Sequence, residues 1–151
     1  LEVVTRNIVA GSLCKRIGWE EGKELPKPIV EFYYKDDDLG DPLLADCHIK
    51  ILELATDNEL QELKEKAFEI NECLMKLLRP KGLLLVDFKL EFGKDTDGNI
   101  LLADEISPDT CRFWDAESKE KMDKDRFRQS LGGVSDAYAE VYQRLISNGL
   151  K

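Results

Sequence analysis

Val86-Asp87-Phe88-Lys89-Leu90-Glu91-Phe92-Gly93, with the return segment Leu101-Leu102-Ala103-Asp104-Glu105, decides how the chain is read. Val86, Phe88, Leu90 and Phe92 alternate with Asp87, Lys89 and Glu91. A period of two marks a β-strand with one apolar and one ionic face. Same-side residues stand about 6.6 Å apart on a strand, so one face presents carboxylate, ammonium and carboxylate in a row. Between the two segments, Lys94-Asp95-Thr96-Asp97-Gly98-Asn99 contains the Asp-Gly signal of a hairpin turn. The hairpin brings Asp104 back toward that row if the register allows. A charged strand face is by default a solvated sheet face. The same groups can also hold Mg²⁺ and the phosphates of a nucleotide.

Outward from the hairpin, residues 2–6 read as a strand, and Ala10-Gly11-Ser12 opens a short helix ending near Gly18. Residues 19–28, with Gly22, Pro26 and Pro28, read as loop; residues 29–34 read as a strand and 35–42 as a polar turn. Thr56 with Glu59 fits a capping box. Leu60, Leu63, Ala67, Ile70, Leu74 and Leu77 then follow helical spacing until Arg79-Pro80-Lys81-Gly82 stops the helix. Ser107-Pro108-Asp109 breaks the return strand. Asp123 caps a short helix through Arg128 to Leu131. A last helix carries Val134, Ala137, Tyr138, Val141 and Leu145 on one side. The expected fold is α/β in the α+β sense: an antiparallel-rich sheet whose hairpin carries the site, flanked by helices, in a single domain over residues 1–151.

With 151 residues, 42% of them hydrophobic and 35% charged, the chain can build one core. A net charge of −9 argues against bulk binding to nucleic acid or an anionic membrane. No apolar run is long enough to span a bilayer, and no signal peptide is visible. Cys14, Cys47, Cys73 and Cys111 form no C-x-x-C pair, which removes the zinc signal and fits a reducing cytoplasm. Cys73 is expected on the apolar side of its helix. His48 reads as a surface or helix-start residue. Asp95, Asp97 and Asn99 mimic the start of a calcium loop, but Ile100 and Ile106 stand where Gly and Glu are needed. Neither glycine-rich phosphate loop is present. Anion-binding candidates remain: Arg6 at the end of the first strand, Ser12 at a helix start, Lys35 after a strand, and Arg112 after a Pro-Asp turn.

At this point whole strings become specific. Glu2-Val3-Val4-Thr5-Arg6-Asn7-Ile8-Val9-Ala10-Gly11-Ser12 resembles one signature of the SAICAR synthetase family, and residues 86–93 resemble the other. Phe32-Tyr33-Tyr34-Lys35-Asp36-Asp37, Gly40-Asp41-Pro42, Asp104-Glu105-Ile106-Ser107-Pro108-Asp109 and Met122-Asp123-Lys124-Asp125-Arg126-Phe127-Arg128 are similar to the bacterial form. The resemblance implies an ATP-dependent ligase of de novo purine biosynthesis. It joins aspartate to carboxyaminoimidazole ribotide through a carboxyl-phosphate intermediate and yields SAICAR, ADP and phosphate.

The same resemblance implies roles for particular residues. Glu91 and Asp104 engage Mg²⁺ and nucleotide. Lys89 stands beside the reacting groups, and Lys35 and Asp41 are further active-site positions near nucleotide and ribotide. Arg6, Ser12 and Arg112 hold the ribotide phosphate. Arg128, with Arg126 behind it, is a candidate for the aspartate substrate. ATP and Mg²⁺ are the implied cosubstrate and metal, and a homo-oligomer is implied. The family also has an upstream lobe over the adenine. Because the chain opens at Leu1 on strand-like sequence, it is expected to be the C-terminal portion without that lobe, and poorly active alone. A non-catalytic nucleotide-binding or assembly module is the alternative.

Overall fold

The computed structural model describes residues 1–147, so residues 148–151 of the expected domain lie outside it. The strands are β1 (Glu2–Ile8), β2 (Glu24–Tyr33), β3 (Leu43–Leu44), β4 (Leu83–Lys94), β5 (Ile100–Leu102) and β6 (Cys111–Asp115). The helices are α1 (Ser12–Ile17), α2 (Asp46–Ile51), α3 (Asp57–Leu78), α4 (Asp125–Arg128) and α5 (Val134–Ile146). All strand pairs are antiparallel, in the order β3-β2-β1-β4-β5, with β6 also on β4. The expected antiparallel-rich sheet with flanking helices is therefore what forms.

The alternating pattern places the core. Val3, Phe32, Phe88 and Leu90 project from one sheet face onto Leu60, Leu63, Ala67 and Leu78 of α3 and Ala137 and Val141 of α5. Each fully buried Val, Leu or Phe among them contributes about 1.5–3 kcal/mol. The α3 capping box forms: Thr56 Oγ1 accepts from the Glu59 N–H at 3.3 Å, and Glu59 Oε2 accepts from the Thr56 N–H at 2.7 Å.

Several expectations are corrected. Val86 does not share the Phe88 face. A register shift between Leu85 and Asp87 interrupts the β4–β6 ladder, and Val86 joins Ile8, Ala10 and Trp114 in a second cluster. One extra residue in a strand reverses every side chain beyond it. Residues 24–28 are strand rather than loop. Pro26 and Pro28 fit because they fall where the β1–β2 register shifts, on an edge without a further strand, so no ladder N–H is lost. On α3 the buried stripe drifts to Asn71 and Leu78; Leu77 is 52% exposed, and Cys73 is exposed. α2 was not anticipated, but His48 does stand at a helix start, its Nδ1 accepting from the Ala45 N–H at 3.2 Å.

Candidate active site

The sheet face opposite α3 is the ionic one, and the strand register assembles it. Glu2, Val4 and Arg6 of β1 lie opposite Glu91, Lys89 and Asp87 of β4. Tyr33 of β2 pairs with Glu2, and Arg112 of β6 pairs with Asp87. Apart from Glu91, these residues floor a cleft of about 660 Å³, whose lining includes Glu2, Arg6, Ser12, Asp41, Lys89, Asp104, Arg112 and Arg128. Lys35 and Glu91 stand beside it, paired at 2.7 Å. Six of the predicted positions thus line one cleft together, in addition to Arg128.

At one end, charge is densely paired. Arg6 is 4% exposed and Asp87 3%. Arg6 Nη1 donates to Asp87 Oδ2 at 2.6 Å, its Nε to Glu31 Oε2 at 2.7 Å, and its Nη2 to Tyr33 Oη at 3.1 Å and Ser12 Oγ at 3.4 Å. Arg112 Nη1 donates to both Asp87 oxygens at 2.9 and 2.8 Å, and its Nε to Asp125 Oδ2 at 2.6 Å. Arg128 Nη1 donates to Asp125 Oδ1 at 2.7 Å. Burial pushes the Asp87 carboxyl up, against the opposing pull of Arg112 and Arg6. Burial acts against the Arg6 charge, but Asp87 and Glu31 outweigh it and hold the guanidinium above its ordinary value. The same balance, with Asp87 and Asp125 as partners, raises Arg112.

Gly11 lets the chain pass against this end. It has φ +56°, a conformation that L side chains rarely adopt, and a Cβ there would stand 2.6 Å from Arg112 Nη2. The next residue, Ser12, is thereby carried to Arg6.

At the other end, Lys89 Nζ donates to Glu2 Oε1 and Lys35 Nζ to Glu91 Oε1, both at 2.7 Å. The Ala103 N–H donates to the Glu91 carbonyl at 3.0 Å, so Asp104 lies one residue beyond the rung opposite Glu91. That return is the one the hairpin predicts. Asp104 is held below the usual carboxylate range by the Glu105 carboxyl and backbone N–H, with Lys35 and Lys89 assisting. Its hydrogen bond to Asp104 pushes Glu105 up. Lys35 is raised by its bond to Glu91. Asp41 has φ +48°, an uncommon conformation for a residue with a Cβ, and its Oδ1 accepts from the Asp36 N–H at 2.9 Å. Among the described residues, no group of three or more His, Cys, Asp or Glu side chains could hold a metal ion.

The structure separates the two candidate arginines of the α4 segment. Arg128 lines the cleft, whereas Arg126 Nε donates to the Gly132 carbonyl at 2.8 Å and its Nη1 to Glu120 at 2.6 Å, tying loops together. Sequence reasoning missed Glu2, Glu31, Tyr33 and Asp125 as members of the site. It also missed that Asp87 is buried between two arginines. The available signal was the period of two in residues 2–6: Glu2 and Arg6 share a strand face, which needs a paired ionic face.

The comparisons with known proteins agree on one family. The model of SAICAR synthetase matches residues 1–145. A phosphoribosylaminoimidazole-succinocarboxamide synthase from Anoxybacillus flavithermus is 63% identical over 145 residues, which cover 96% of this chain and 60% of that protein. One from Wolinella succinogenes is 62% identical over 148 residues, 97% of this chain and 63% of that protein. A solved SAICAR synthetase in complex with ADP superposes with a TM-score of 0.93 at 55% identity, over 99% of this chain and 63% of that one. The SAICAR synthetase of Pyrococcus horikoshii OT3 gives a TM-score of 0.92 at 54% identity, over 97% and 64%. The chain thus spans about 60% of the length of the relatives it matches. With a match running from residue 1 to residue 145 and a shared antiparallel sheet, the chain belongs to the SAICAR synthetase family.

Proposed function

We propose that this cleft is the ribotide and phosphoryl-transfer part of an ATP-dependent ligase that joins aspartate to carboxyaminoimidazole ribotide, giving SAICAR, ADP and phosphate. The observation that carries the reading is the polarity of one sheet face. Buried Arg6, half-buried Arg112 and Ser12 converge at one end, and lysines 35 and 89 alternate with carboxylates at the other. A carboxylate is a poor electrophile, so its oxygen must first become a leaving group, and phosphorylation achieves that.

In this reading Arg6, Ser12 and Arg112 hold the ribotide phosphate, because guanidinium forks and a hydroxyl match its oxygens. That anchor places the substrate carboxylate over Lys89. The ammonium stabilises charge on the transferring phosphoryl group, and Lys35 acts likewise on the nucleotide side. Asp41 supplies a carboxylate for hydroxyl or amine donors of the substrates. Arg128 binds a carboxylate of aspartate.

Glu91 and Asp104 fit Mg²⁺: both are hard oxygen donors, Glu91 on β4 and Asp104 in the loop just past β5, and this ion commonly takes only one or two carboxylates with nucleotide phosphates and water. Bound there, it would neutralise charge on the nucleotide phosphates. A cytoplasmic, self-associating enzyme belongs to the same reading, and fractionation and sedimentation test those two points.

The test is ADP release by a protein of the relatives' full length carrying this chain. Release that depends on both ribotide and aspartate, and is abolished by Lys89→Ala and by Asp104→Asn while both variants fold, supports the ligase. Full activity in both folded variants contradicts it and favours a binding or assembly module.

A further inference from the structure

Arg6 and Arg112 carry like charges and make no hydrogen bond to each other; a buried carboxylate stands between them. Asp87 accepts Arg6 Nη1 at 2.6 Å on Oδ2 and Arg112 Nη1 at 2.9 and 2.8 Å on Oδ1 and Oδ2. Each arginine then has a second anchor on its Nε: Glu31 for Arg6 at 2.7 Å and Asp125 for Arg112 at 2.6 Å. A planar guanidinium held at Nε and at Nη1 has a fixed plane and a fixed remaining edge. For Arg6 that edge is Nη2, which reaches Tyr33 Oη at 3.1 Å and Ser12 Oγ at 3.4 Å. For Arg112 it is also Nη2, the atom that a Cβ on Gly11 would meet. Both remaining edges therefore face the same two-residue segment, Gly11-Ser12.

Burying a carboxylate is unfavourable unless its oxygens are compensated. An apolar residue at the Asp87 position would avoid that cost but would leave the two guanidiniums without a common fixed point.

We propose that Asp87, backed by Glu31 and Asp125, is a positioning residue that locks Arg6 and Arg112 into one two-pronged receptor for a phosphate monoester. It touches no substrate itself. The proposal rests on the reading of Arg6, Ser12 and Arg112 as the phosphate-holding group. It goes beyond that reading by assigning the spacing of the prongs to a carboxylate behind them.

The test is steady-state kinetics on the full-length protein, with kcat and the KM of each substrate measured for wild type, Asp87→Asn and Glu31→Gln. Arg6→Met and Arg112→Met serve as controls. Asp87→Asn is expected to raise the ribotide KM by about tenfold or more, with the ATP KM within about twofold of wild type. Glu31→Gln is expected to raise the ribotide KM several-fold with the same selectivity. A merely structural role would lower stability and disturb both substrates alike. If Asp87→Asn does not fold, Glu31→Gln decides, because Glu31 is nearer the surface. An unchanged ribotide KM in Glu31→Gln and in folded Asp87→Asn, while the arginine controls raise it, overturns the positioning role alone. An unchanged KM in the arginine controls overturns the phosphate reading, and the positioning role with it.

Discussion

Gly11→Ala is expected to weaken both the fold and phosphate binding, for two separable reasons. The backbone at Gly11 has φ 56° and ψ −131°, and holding an L residue in such a conformation costs about 1–3 kcal/mol. For a protein of this size, each kcal/mol corresponds to a fall of about 2–4 °C in Tm. The second reason is local. The new Cβ would stand 2.6 Å from Arg112 Nη2, 3.0 Å from its Cζ and 3.3 Å from its Nη1. Ordinary contact requires the guanidinium to retreat by about 1 Å. It cannot do so freely, since its Nε and Nη1 are tied to Asp125 and Asp87 at 2.6 and 2.8 Å. A misplacement of that size in a binding group can cost about 10²-fold. The assay pairs thermal unfolding with ribotide kinetics in the full-length protein. The expected result is a lowered Tm together with a ribotide KM raised by about ten- to a hundredfold. A variant with wild-type Tm and wild-type ribotide KM would refute the reasoning about this contact.

Three further outcomes are expected. Thr56→Ala removes the hydroxyl that accepts from the Glu59 N–H, and should cost about 1 kcal/mol in urea unfolding while leaving ADP release unchanged. Leu90→Ala empties a core position that is 1% exposed and should cost about 2–5 kcal/mol by the same measurement; a loss near zero would contradict the assignment of that face to the core. Burial raises the Asp123 carboxyl from 3.8 to about 6, against the pull of the Asp125 and Phe113 N–H donors. The native state then holds its proton more tightly than the unfolded chain does. Its stabilising contribution is full below the unfolded value and lost as pH rises through about 6. The stability of wild type relative to Asp123→Asn should therefore fall between those two pH values and level off above; a difference that does not vary with pH would contradict the assignment.

The sequence made the hairpin legible because its signals are local. The alternation of Leu90 and Glu91, the Asp-Gly turn and the Thr56–Glu59 capping box each depend on a few neighbouring residues, and each forms as read. Asp95 shows why the calcium reading failed. Its carboxylate accepts from the Asp97 and Asn99 N–H groups at 2.9 and 2.8 Å, so it closes the turn. The β4 bulge was not legible, because Val86 differs from Phe88 in the sheet face it joins and not in apolar character. Residues 24–28 were misread because proline is compatible with an unpaired edge, and only the pairing reveals an edge. Cys73 and Leu77 were assigned inward because helical spacing gives a stripe but not the exact direction of its drift. In the site, the charged residues were visible one at a time. That Arg6, Asp87 and Arg112 sit abreast on three strands depends on register across chain separations of 81 and 25 residues, which a single sequence does not contain.

The most direct test of the account is a crystal structure of the full-length protein with carboxyaminoimidazole ribotide bound. The predicted result places the phosphate within hydrogen-bond distance of Arg6, Ser12 and Arg112, with the imidazole carboxylate toward Lys89. A phosphate bound elsewhere, with Arg6 and Arg112 engaged only by Asp87, Glu31 and Asp125, would contradict it.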